Sequence, residues 1–73
     1  MFIMTQSGNM LNADKITSLY TRDNAIYAGL TGSSSCVVGE YDTWQRCSLA
    51  YEELTEQIEK NVGLIRVELW NRE

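Results

Sequence analysis

The side chains that most often perform chemistry are sparse in this chain, and their types exclude several reaction classes. The 73 residues contain two cysteines and no histidine. Without an imidazole, the chain lacks the commonest general base near neutral pH and the commonest metal ligand. Two cysteines alone do not supply the four ligands of a structural zinc site. We therefore predict no catalytic residue, no metal site and no cofactor, and we expect that the protein is not an enzyme.

The two cysteines are better explained as small hydrophobic residues than as nucleophiles. Cys47 falls on the apolar face of a predicted helix, and Cys36 falls in a predicted strand. The first six residues lack the basic segment and the long apolar stretch of a signal peptide, so we predict a cytoplasmic protein. Thiols stay reduced in that compartment. Both cysteines are therefore predicted to be free, with a Cys36–Cys47 disulfide as the alternative.

The charge balance argues against two classes of partner. Six Lys and Arg residues against ten Asp and Glu residues give a net charge of −4. The cations are spread along the chain without a basic patch, so we predict no direct nucleic-acid binding. No apolar run approaches the ~18 residues that a membrane span needs, so we predict no membrane partner.

A cluster of glutamates is the densest group of like charges. Glu52, Glu56 and Glu59 follow one another at spacings of four and three, which places them on one surface of a helix. An ordinary solvated face is the favoured interpretation, and a cation site or an acidic docking patch is the alternative.

Tyrosine and tryptophan residues are numerous, with four Tyr and two Trp in 73 residues. These residue types are enriched at the energetic centres of protein interfaces. Trp70 lies near the end of a predicted edge strand whose outer face carries Arg66 and Glu68, two charges able to pair reciprocally across a two-fold axis. The candidate interaction residues are Trp70, Arg66, Glu68, Tyr20, Tyr27, Glu52, Glu56 and Glu59.

One helix is predicted over residues 43–62. Its apolar positions recur at spacings of three and four, as one helix face requires. They are Trp44, Cys47, Tyr51, Leu54, Ile58 and Val62. Asp42 suits the N-cap position, and Gly63 suits the left-handed residue that follows a helix.

Strand patterns surround this helix. Short β-forming segments cover residues 2–5, 16–21, 25–28 and 35–41, and turn residues separate them. Residues 64–70 alternate between apolar and charged side chains, as in a half-buried strand. The predicted fold is a single α+β domain over residues 1–73. It has an antiparallel meander of about four short strands, one amphipathic helix packed on one face, and a C-terminal strand.

The order of turns and caps resembles that of small uncharacterised α+β proteins of bacteria and their phages. The residues that carry this resemblance are Gly8, Asn9, Asn12, Asp14, Ile16, Gly39, Tyr41 and Thr43, followed by the helix. The resemblance implies a compact domain and assigns no catalytic residue.

Three functions remain open from the sequence. The first is a non-enzymatic protein-interaction domain of phage or mobile-element type, which forms a homodimer or small oligomer through surface aromatics and an edge strand. A chain this short gains much from association, because its own core barely offsets the entropy of folding. The second is a small acidic inhibitor of a host defence protein. The third is an oligomer that binds a small molecule or nucleotide.

Overall fold

A computed structural model describes residues 1–67 of the chain. The strands are β1 (Phe2–Met4), β2 (Met10–Asn12), β3 (Ile16–Arg22), β4 (Ala25–Leu30), β5 (Ser35–Glu40) and β6 (Leu64–Arg66). The helix α1 spans Trp44–Glu59, and a 3-10 turn spans Ala13–Lys15. The predicted α+β class is confirmed, with its antiparallel meander, its helix and its C-terminal strand.

Within residues 1–67, the strands divide between two sheets of three. The first sheet is the antiparallel meander, in the order β3-β4-β5. The second has the order β2-β1-β6, in which β1 pairs antiparallel with β2 and parallel with β6. The sequence does not predict β2, because this strand is short and one of its three residues is Asn12, a residue type depleted in strands.

The turn between β3 and β4 fixes the register of the meander. Asp23 and Asn24 both adopt left-handed backbone angles, with φ of 52° and 64°. Such a pair forms a two-residue hairpin turn whose twist matches that of the strands, and Asn and Asp tolerate these angles better than most residues. The turn predicted between the segments 16–21 and 25–28 is confirmed, and Arg22 lies opposite Ala25.

Helix α1 begins one residue later than its predicted cap implied. Thr43 is the N-cap, and its side chain accepts a hydrogen bond from the backbone N–H of Arg46. The prediction of Asp42 as the cap is wrong, because the Asp42 carboxylate lies instead 3.6 Å from the Arg46 guanidinium. A threonine hydroxyl can accept a hydrogen bond from a helix N–H just as an aspartate carboxylate can. Residue type alone therefore does not decide whether Asp42 or Thr43 is the N-cap.

The helix also ends earlier than predicted, at Glu59. Asn61, with φ of 58°, is the left-handed residue, so the prediction of Gly63 for this role is wrong. The N–H of Asn61 donates to the carbonyl of Ile58, and the N–H of Val62 donates to that of Gln57. These two bonds form a Schellman ending, which satisfies the last carbonyls of the helix.

The core lies where the helix and the inner faces of the strands meet. The fully buried apolar side chains are Ile3, Ile26, Ala28, Val38, Cys47, Leu54, Ile65 and Val67. Trp44, predicted on the buried helix face, is 55% exposed, so that prediction is wrong. Trp44 lies in the first turn of the helix, before its buried residues Cys47, Ala50 and Leu54. The small Ala50 allows the helix to approach the sheet closely.

Candidate functional site

The two tyrosines predicted from the sequence meet on the outer face of the meander. Tyr20 on β3 lies opposite Tyr27 on β4, and their rings stack with centroids 5.4 Å apart and planes 9° apart. Val37 on β5 lies opposite Tyr27 in turn. Tyr20 is 39% exposed and Val37 is 38% exposed. Tyr20, Tyr27 and Val37 thus form an apolar row across three strands, which we call the aromatic row.

Tyr20 also stands on an edge strand. β3 is the first strand of its sheet, so one side of its backbone has no strand neighbour within residues 1–67. The register shifts between Ile16 and Ser18, which leaves Thr17 as an extra residue in a bulge. From Ser18 to Arg22, the pairing with β4 proceeds one residue at a time.

Helix α1 contacts this edge through Tyr51. The hydroxyl of Tyr51 donates a hydrogen bond of 3.1 Å to the carbonyl oxygen of Leu19. Beside the edge lies an open hollow of about 220 Å³ between β3 and the last turns of α1. It is lined by Ala13, Ile16, Thr17, Ser18, Leu19 and Ile58. Backbone groups and apolar side chains are therefore both accessible along β3.

The predicted acidic surface is present on α1. Glu52, Glu56 and Glu59 are all exposed and line one shallow hollow of about 460 Å³. Leu49 lies in the same hollow and is 66% exposed, the highest exposure among the large hydrophobic residues described. The hollow thus combines negative charge with an exposed apolar side chain.

The candidate residues do not gather into one site within the described part of the chain. Arg66 is exposed on β6, an edge strand of the second sheet. The tyrosines lie on β3 and β4, and the glutamates lie on α1. The predicted residues Glu68 and Trp70 lie outside the described residues. The tyrosines and the glutamates therefore form two separate surfaces.

Both cysteines are free thiols, as predicted. Cys47 is fully buried on α1, and burial raises the pKa of its thiol above the usual 9.0. Burial also raises the pKa of Cys36 on β5. A raised pKa reduces the thiolate fraction, and the thiolate is the nucleophilic form.

Sequence reasoning missed two of the exposed apolar residues at these surfaces. The sequence predicts a strand at Val37 but not the face on which Val37 lies. The bulge between the pairs Ile26–Gly39 and Tyr27–Val37 decides that Val38 is buried and Val37 is exposed. The sequence does contain a signal that Leu49 is exposed, because Leu49 falls outside the spacing of the apolar helix positions. Its position among polar residues predicts an exposed leucine.

Within residues 1–67, no group of three Cys, Asp or Glu residues is arranged to hold a metal ion. The helix of that region is too short and too polar to cross a membrane.

Comparisons with protein-family models, with curated proteins and with solved structures give no match for this chain. The resemblance to small bacterial and phage proteins therefore stays a prediction.

Proposed function

We propose that the protein is a non-enzymatic protein-interaction domain that self-associates through the aromatic row and the edge of β3. One observation carries the proposal: Tyr20 stands exposed on an edge strand, with its ring stacked on that of Tyr27. Two surface features that favour association, an aromatic anchor and an open strand edge, thus coincide at one residue.

The stacking prepares Tyr20 for contact with another chain. A tyrosine side chain carries large apolar area on few rotatable bonds, so ordering it costs little entropy. Its neighbour Tyr27 already restricts the ring. A cytoplasmic location is part of the proposal, and the free thiols of Cys36 and Cys47 are compatible with a reducing compartment.

Sedimentation equilibrium over a range of protein concentrations tests this function. We expect the wild-type chain to form a dimer or small oligomer, and Tyr20→Ser to shift the equilibrium towards monomer by at least tenfold in Kd. Trp44→Ser is the matched control, because Trp44 is an exposed aromatic residue on the helix. A wild-type chain that stays monomeric at millimolar concentration would contradict self-association.

A second function has one specific observation in its favour. Leu49 is exposed in the hollow that Glu52, Glu56 and Glu59 also line. An apolar residue beside carboxylates suits a basic protein surface, as an acidic inhibitor of a host protein requires.

A pull-down from host lysate with the protein immobilised tests this inhibitor function. Replacing Glu52, Glu56 and Glu59 together by Gln keeps the side-chain shape and removes the charge. The inhibitor hypothesis predicts that this variant loses the captured protein, while Tyr20→Ser retains it. Equal capture by the wild-type and the Gln variant would exclude the acidic surface as the binding site.

A further inference from the structure

We infer that β3 of one protomer pairs antiparallel with β3 of a second copy about a two-fold axis that passes at Tyr20. The pairing presupposes the self-association proposed above and adds its partner strand and its register. It would join two meanders into one continuous sheet of six strands.

The regular part of β3 is centred on Tyr20. The bulge at Thr17 interrupts the strand on one side, and the turn at Asp23 and Asn24 ends it on the other. Residues 18–22 lie between these two interruptions, and Tyr20 is the middle residue of the five. A two-fold axis at Tyr20 therefore uses all of the regular segment in both copies. An axis at Leu19 would instead place the bulged Thr17 opposite Thr21 and break the ladder.

The backbone of this segment offers the required hydrogen bonds. In a two-residue hairpin, the residues that flank the turn exchange hydrogen bonds, so the polar backbone groups of Arg22 and, by alternation, Tyr20 face β4. Those of Leu19 and Thr21 then face away from β4. The hydrogen bond from the Tyr51 hydroxyl to the Leu19 carbonyl agrees with this direction.

An axis at Tyr20 brings these outward groups together. Leu19 of each copy lies opposite Thr21 of the other, and each such pair exchanges two backbone hydrogen bonds. Four bonds therefore form across the interface. The Leu19 carbonyl has two lone pairs, so it accepts both the Tyr51 hydroxyl and the second chain.

The side chains also fit this register. Tyr20 lies opposite Tyr20 of the second copy at a site without backbone hydrogen bonds, where side chains approach most closely. Because Tyr20 already stacks on Tyr27, the two copies form one row of four tyrosines across four strands. Arg22 lies opposite Ser18 of the second copy, so no like charges are opposed within the regular segment.

A disulfide test that keeps Tyr20 distinguishes this register from others. Ser18→Cys and Arg22→Cys are prepared separately, each with Cys36→Ser, and the two are mixed under mild oxidation. Residues 18 and 22 of the two copies are directly opposed at sites without backbone hydrogen bonds. The Cα separation at such sites is short enough for a disulfide. We expect a disulfide-linked heterodimer from the mixture and none from either variant alone. Ser35→Cys is the control, because it is exposed at the opposite edge strand of the same sheet.

Hydrogen exchange on the wild-type chain gives a second measurement if a cysteine variant does not fold. We expect the amides of Leu19 and Thr21 to exchange at least tenfold more slowly as the concentration rises, while that of Tyr20 changes little. A dimer without either result would overturn the register and leave self-association standing. A chain that stays monomeric would overturn both.

Discussion

The side-chain amide of Gln6 pairs with both backbone groups of Glu40. The Gln6 Nε2 donates to the Glu40 carbonyl at 2.7 Å, and the Glu40 N–H donates to the Gln6 Oε1 at 3.0 Å. The backbone N–H of Gln6 also donates to the carbonyl of Val38 at 2.8 Å. Gln6, two residues after the end of β1, thus covers the free edge of β5 and joins the two sheets. Among the described residues 1–67, the edge of β3 has one such contact, from Tyr51.

Replacing Gln6 tests whether this contact stabilises the junction of the sheets. We expect Gln6→Ala to lower the free energy of unfolding by about 1–2 kcal/mol, since two hydrogen bonds to the backbone are lost. Gln6→Glu should lose part of the same stability. A carboxylate accepts from the Glu40 N–H but has no donor for the Glu40 carbonyl. Urea denaturation measures the change.

Gln45→Ala is the matched control for Gln6, because Gln45 is an exposed glutamine on α1. Its free energy of unfolding should stay within about 0.5 kcal/mol of the wild-type value. Equal effects at Gln6 and Gln45 would show that the paired amide adds no stability.

The helix cap gives a second prediction. Thr43→Ala should destabilise the protein by about 1 kcal/mol, because the Arg46 N–H loses its side-chain acceptor. Asp42→Ala should cost less, since its contact with Arg46 is an exposed ion pair. Thermal denaturation of the two variants measures and compares their losses of stability. A larger loss from Asp42→Ala would contradict the cap assigned to Thr43.

A buried hydroxyl gives a third prediction. The Tyr41 hydroxyl is buried and has no hydrogen-bond partner among residues 1–67, and it packs so closely on Gly39 that a Cβ there would lie 2.7 Å from it. Tyr41→Phe removes an unsatisfied polar atom, so we expect unchanged or higher stability, by up to about 1 kcal/mol. Gly39→Ala should instead destabilise the protein, because the ring must shift. Urea midpoints measure both, and a marked loss in Tyr41→Phe would reveal a partner for the hydroxyl.

Stability should fall at alkaline pH. Burial raises the pKa of Cys47 above 9.0, and burial followed by the neighbouring Cys47 thiolate raises the pKa of Tyr41 above 10.0. The unfolded chain therefore releases these protons at lower pH than the folded chain. The contributions of Cys47 and Tyr41 to the free energy of unfolding are fully present below about pH 9. They are lost as the pH rises through the pKa values of these two groups in the folded chain.

Urea denaturation at a series of pH values from about 7 to 10.5 measures this dependence. Tyr41→Phe should weaken the decline above about pH 10, because one of the titrating groups is gone. An identical decline in this variant would show that Tyr41 does not contribute.

The amino-acid sequence determined the local elements of this protein. The spacing of Cys47, Leu54 and Ile58 predicted the helix, and the turn residues between segments 16–21 and 25–28 predicted the reversal between β3 and β4. These signals act over a few residues, through helix periodicity and backbone preference. Tyr20 and Tyr27 were likewise candidates from residue type alone.

Only the tertiary structure decided which of these residues meet. The stacking of Tyr20 on Tyr27 depends on a strand register, and the exposure of Trp44 depends on where the helix first touches the sheet. The pairing of Gln6 with Glu40 joins residues 34 positions apart. Such contacts follow from the global packing of the two sheets, which no local pattern encodes, because the same short strands are compatible with several pairings.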